Sequence, residues 1–160
     1  FLREQADYII DTSNLLVRDL RVELEKIFVQ SKGYKNLFIS VLSFGFKHGI
    51  PTDCDLVFDV RFLPNPYYEP ELKHKTGLDR EVQEFVLNAD VTQVFLEKLI
   101  DMVRFLIPNY IAEGKNQLVI GIGCTGGHHR SVTVAGELYA ALDVEDAQYG
   151  IKISHRDINR

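Results

Sequence analysis

Leu15, Leu16, Leu20, Leu24, Ile27 and Phe28 recur at helical spacing with charged residues between them, which predicts an amphipathic helix over residues 14–30. Asp11-Thr12-Ser13 offers capping side chains ahead of it, and Lys32-Gly33 closes it. The pattern then changes. Residues 37–44 form an unbroken, largely apolar run of the composition expected for a buried strand. Residues 56–61 read as a second strand, stopped by Pro64, Pro66 and Pro70. A polar loop carrying Thr76-Gly77 leads into helical spacing over 79–87 and again over 91–107. Residues 118–124 are a third strand, 130–142 a helix and 149–154 a fourth strand, after which His155-Arg156-Asp157 is expected to trail off. Strands alternating with helices predict an α/β layered domain with a largely parallel sheet.

Composition narrows the class. The chain has 160 residues, 46% hydrophobic and 26% charged, enough for one domain with a substantial core. No apolar run approaches the ~18 residues of a membrane helix. The first residues, Phe1-Leu2-Arg3-Glu4-Gln5, carry charge at once and do not form a signal peptide. They are expected to continue from an upstream region, with residues 1–13 as its tail and 14–160 as the domain proper. Two cysteines, Cys54 and Cys124, make no disulfide framework, which fits a reducing cytoplasmic setting. A net charge of -5 argues against a generic nucleic-acid binder, whose affinity comes from neutralising phosphates.

The chemistry concentrates in Cys124-Thr125-Gly126-Gly127-His128-His129-Arg130-Ser131. A buried strand runs into a glycine loop and a helix starts straight after, so unpaired backbone N–H groups and the positive helix end converge on one point. Arg130 adds a planar cationic fork and Ser131 a hydroxyl. That combination predicts a phosphate site, with a protonated histidine assisting. Adjacent His128 and His129 rarely share one metal, so no metal is expected. Cys124 and Arg130 also stand in the Cys-x5-Arg-Ser spacing of cysteine-dependent phosphatases, where a thiolate attacks phosphorus. Gly123 holds the place where those enzymes carry His. Asp53, Asp55, Asp59 and Asp79 are the candidates for the acid that such a reaction needs.

A second constellation follows the second strand. Asp59 and Arg61 would share one side of a strand, and with Asn65 they could orient the rest of a ligand beyond the strand ends. An internal Asp59–Arg61 ion pair is the competing expectation. Phe44-Gly45-Phe46-Lys47-His48 follows the first strand and could form a third wall through Phe44, Gly45, Lys47 and His48.

Three segments together, residues 43–51, 59–66 and 121–132, resemble the C-terminal domain of the RapZ (YvcJ) family. Thr76-Gly77-Leu78-Asp79 fits its intervening pattern, and residues 6–13 resemble the end of its N-terminal domain. The resemblance implies a phosphofructokinase-like α/β fold. It also implies an N-terminal P-loop domain that binds and hydrolyses ATP and GTP. The Gly-x4-Gly-Lys-Ser/Thr motif of that site is not in these 160 residues, so no cofactor and no enzyme activity are expected of them. By the same resemblance the domain would sense glucosamine-6-phosphate or a nucleotide sugar, form homo-oligomers, and have a protein partner in cell-wall precursor metabolism. One branch binds small RNA and presents it to an RNase. Here His128 stands where that branch tends to carry Lys, and the end of the chain is less basic, which weakens the RNA expectation.

Overall fold

The computed structural model describes residues 8–13, 15–17, 20, 23–24, 27, 37–145 and 147–160. Val17, Leu20, Glu23, Leu24 and Ile27 are helical, whereas Leu15 and Leu16, inside the helix expected over 14–30, are not; its other residues lie outside the described ones. The four strands are β1 (Leu37–Gly45), β2 (Leu56–Asp59), β3 (Gln117–Cys124) and β4 (Tyr149–His155). The helices are α1 (Arg80–Leu87), α2 (Asp90–Glu113) and α3 (Arg130–Leu142).

All pairings are parallel, in the order β2-β3-β1-β4. The central strands β1 and β3 are covered on both faces and are therefore apolar almost throughout. Leu37, Ile39 and Val41 of β1 face the same side as Leu118, Ile120 and Ile122 of β3. There they meet Leu96, Leu99 and Val103 of α2 and Val134, Ala135 and Leu138 of α3 in one core. On the other face, the chain leaving β1 folds back, with a 3-10 turn at Phe46–His48, and supplies β2 at the sheet edge.

Two expectations need correction. Helix α2 runs on to Glu113 through Pro108, past the expected end at 107. Proline removes one backbone bond, but Ile107, Tyr110 and Ile111 still pack on the core. The stop comes at Gly114, which takes a φ of 91°. The N–H groups of Gly114 and Lys115 then bond the carbonyls of Ile111 and Tyr110, the usual glycine-closed helix end. Strand β2 ends at Asp59, two residues early, and Arg61 lies in the turn that follows.

Register aligns the strand ends. Gly45 is opposite Cys124, Asp59 opposite Gly123 and Ser43 opposite His155. The loops after β1, β2 and β3 therefore emerge side by side, at the end of the sheet where open α/β folds bind ligands.

Candidate functional site at the strand ends

The β3–α3 loop is closed tightly on itself. Cys124 is buried; its Sγ accepts the Gly127 N–H at 3.2 Å and lies 3.1 Å from Ser131 Oγ. Gly127 has a φ of 82°, which a side chain would resist. It also presses on β1: a Cβ on Gly127 would come 2.7 Å from the Gly45 nitrogen, and one on Gly45 would come 2.6 Å from the Gly126 carbonyl. Gly127, expected to let a ligand approach, thus serves the protein's own backbone. Thr125 and Gly126 remain on the outer side, Thr125 exposed. The Lys47 N–H bonds the Thr125 carbonyl at 3.2 Å, and Lys47 Nζ hangs over Gly126.

The chain after β4 holds this arrangement from below. Asp157, which was expected to trail off, is fully buried. Its carboxylate accepts the Gly45 N–H at 2.8 Å and the Arg156 guanidinium at 2.7–3.1 Å. Burial works to raise its pKa, yet Arg156 and the Gly45 N–H hold it below the ordinary carboxylate value. His128 Nδ1 lies 3.0 Å from the Ile158 carbonyl. A carbonyl only accepts, so Nδ1 carries the hydrogen and Nε2 is left facing Gly126.

Helix α3 begins at Arg130, with no side-chain bond capping its first turn. The Arg130 guanidinium is buried. Its Nη1 donates to the carbonyls of Arg61 and Leu63, the latter at 3.1 Å, and its Nη2 to Thr125 Oγ1 at 3.4 Å. Its Nε has no partner. Burial lowers its pKa, while Cys124, Tyr68 and Asp59, all close enough to act on it, pull the other way. Arg130 therefore ties the β3–α3 loop to the turn after β2 and keeps unused donor capacity. His129 is buried among the carbonyls of Leu72, Lys73 and Lys75; burial pushes its pKa down, and its Nε2 has no partner. It is neutral near pH 7, so the assisting charge expected of a histidine does not come from His129.

The second constellation does reach the first. Arg61 forks onto Asp59, with Nε at 2.9 and 3.0 Å and Nη2 at 2.6 Å. The turn brings them together, since Arg61 is past the strand. Arg61 also stacks 4.2 Å from the Phe46 ring centroid. That fork holds the Asp59 carboxyl below its ordinary value. Asn65 accepts the Tyr67 N–H at 3.3 Å and caps a 3-10 turn at Pro66–Tyr68. Phe44 is fully buried, edge-on to Phe46, and contributes packing. His48 Nε2 is buried with no partner.

Three residues escaped the sequence reading. Tyr68 lies in a proline-bracketed segment whose prolines signal only a stop, on the turn that follows the Arg61 and Leu63 carbonyls bound by Arg130. The Gly77 N–H bonds the His128 carbonyl at 2.7 Å, and Gly77 is packed against His129 and the first turn of α3. Asp157 sits in a tail with no pattern around it. Chemically, Thr125 and Gly126 stand beside two cationic groups, the Lys47 ammonium and the Arg130 guanidinium. Of the four acids weighed for a thiolate mechanism, three are engaged elsewhere. Asp55 bonds Lys115 and the Val119 N–H, Asp79 bonds Thr76, and Asp59 is in the Arg61 fork. Asp53 neighbours Cys54, whose thiol is pushed up to about 11, chiefly by burial. Among the described residues no group of three or more His, Cys, Asp or Glu is placed for a metal, and no helix is long and apolar enough to cross a membrane.

Comparison with known proteins gives a consistent neighbourhood. The family model described as the RapZ C-terminal domain matches residues 37–159. A "Nucleotide-binding protein" of Agathobacter rectalis is 63% identical over all 160 residues, which cover 55% of that relative. One of Lachnoclostridium phytofermentans is 64% identical over the same span, again 55% of its length. One of Ruminiclostridium cellulolyticum is 57% identical over 159 residues, 54% of its length. The chain spans about half the length of the curated relatives it matches.

Proposed function

Because the chain belongs to the RapZ C-terminal domain family, we propose that it is a regulatory ligand-binding domain for a phosphorylated amino sugar of the glucosamine-6-phosphate type, or for a nucleotide sugar. The phosphate sits over Thr125 and Gly126, at the start of α3. Lys47 and the free donor capacity of Arg130 surround it. Asp59, Arg61 and Asn65 face the rest of the ligand. The observation that carries this reading is Arg130, a buried guanidinium beside the exposed Thr125, with its Nε unpartnered. A buried charged group without its full set of bonds is costly, and a phosphate oxygen is the partner its geometry suits. ATP and GTP binding, by contrast, is assigned to a P-loop elsewhere in a full-length protein.

Thr125 and Lys47 are both exposed, so they can be changed without disturbing the core. Thr125→Val and Lys47→Ala should each weaken glucosamine-6-phosphate binding by about 1–2 kcal/mol, as for hydrogen bonds to a charged group. Affinities equal to the parent in both variants would remove the site from this loop. A second reading is cysteine-dependent phosphatase chemistry. It is favoured by the Cys124 Sγ contacts with Ser131 and the Gly127 N–H. It predicts p-nitrophenyl phosphate turnover that Cys124→Ser abolishes, and turnover no faster than buffer would dispose of it.

A further inference from the structure

Tyr68 stands out among the exposed residues because of what holds it and what it faces. Its turn is unusually well fixed. Pro64, Pro66 and Pro70 restrict the backbone, and Pro66 is buried. Asn65 caps the turn through its side chain, the Tyr68 N–H bonds the Asn65 carbonyl at 3.2 Å, and the Glu69 N–H bonds the Pro66 carbonyl at 3.0 Å. Tyr67 meets Tyr68 edge-on, with ring centroids 6.0 Å apart, and Lys73 lies 4.8 Å from the Tyr67 ring. Tyr68 itself is 78% exposed. It presents its ring largely to solvent, on the turn that follows the Arg61 and Leu63 carbonyls to which the buried Arg130 donates.

A single exposed aromatic is ordinary on a protein surface. One fixed by its own backbone, on the segment that Arg130 ties to the β3–α3 loop, is placed for contact. We propose that Tyr68 is the stacking wall for the organic part of the ligand. A flat apolar face lies on its ring while the phosphate occupies the Thr125–Arg130 loop. The C–H face of a pyranose and the face of a nucleobase both offer that chemistry, and both would keep their polar edges toward Asp59 and Arg61. The proposal rests on the phosphate reading above. It adds the residue that separates a sugar or nucleoside phosphate from phosphate alone.

The chain contains no tryptophan, so Tyr68→Trp installs a sole indole at this position. Its emission should shift or quench, and saturate, with glucosamine-6-phosphate or with uridine diphosphate N-acetylglucosamine, and stay flat with inorganic phosphate. A response to the first compound identifies a stacked sugar; a response confined to the second identifies a stacked base. Tyr68→Ala should bind the responding compound about 5- to 10-fold more weakly, as expected for loss of an aromatic contact. It should bind inorganic phosphate within about twofold of the parent and melt at the same temperature, and Tyr68→Phe should restore the affinity. Unchanged affinity in Tyr68→Ala, with the parent binding normally, overturns the stacking wall alone. A parent that binds neither inorganic nor organic phosphate overturns the anion site and the wall with it.

Discussion

The two sides of the strand ends are built to different tolerances. In the β3–α3 loop, Ser131, Arg130 and His129 are 0%, 5% and 9% exposed, and Arg130 and His129 meet backbone carbonyls of two other segments, 61–63 and 72–75. Across from them the side chains of Asp59 and Arg61 are 44% and 49% exposed, and Tyr68 is 78% exposed. One wall is held by the fold; the other is held only by its own short turn. Buried polar groups with fixed partners are costly to disturb. Exposed ion pairs contribute little to stability. On the proposed function, the fixed wall takes the feature that every ligand shares, its anion. The exposed wall is suited to what distinguishes one ligand from another, and it can change without loss of the fold.

The contrast breaks most severely if the fixed wall proves tolerant. Gly77→Ala drives a Cβ into the His129 carbonyl and the first turn of α3. It should cost on the order of 3 kcal/mol, the scale of overpacking a tight interior, read as a lower urea midpoint. A cost under about 0.5 kcal/mol would mean that the loop adapts. Asp157→Asn removes the buried charge that holds Gly45 and Arg156. Because Arg156 is partly solvated, the loss should be about 2–3 kcal/mol, below the range for a fully buried pair. The comparison to make is chemical unfolding of parent and variant at pH 7.5.

Acidification sharpens the contrast. Burial holds His129 and His155 below the ordinary histidine value. The unfolded chain therefore takes up protons first, from about pH 6.5 downward. Stability falls as the pH drops through that window. Asp157 and Asp59 are depressed, so their contribution is lost lower, as the pH falls below about 4. The urea midpoint should thus drop between pH 7.5 and 5.5, and drop less in His155→Asn. An equal drop would place the proton uptake elsewhere. The smallest expected effect belongs to the exposed wall: Arg61→Ala should change stability by less than about 1 kcal/mol. A larger loss would show that the Arg61–Asp59 fork carries the fold.

The layered α/β architecture was legible because β1 and β3 are apolar on both faces, a pattern few other structures produce. The strand–loop–helix junction was legible because strand, glycines, Arg130 and Ser131 follow one another within eight residues. What stayed hidden depends on contacts between distant segments. Nothing around Asp157 in the sequence says that its carboxylate meets the Gly45 N–H, 112 residues away. Gly77 reads as a turn residue until α3 is packed against it. The end of α2 was misplaced because the cost of Pro108 is local, while the packing of Tyr110 and Ile111 that outweighs it is tertiary. Arg61 was assigned to a strand because apolar residues continue past Asp59, yet the turn makes the same ion pair by another route.

The central claim is that the strand ends bind a phosphorylated amino sugar. Calorimetric titration of the protein with glucosamine-6-phosphate, with glucosamine and inorganic phosphate as controls, tests it most directly. Saturable binding of glucosamine-6-phosphate, tighter than inorganic phosphate and absent for glucosamine, is the predicted result. Heats no different from dilution for all three compounds would contradict it.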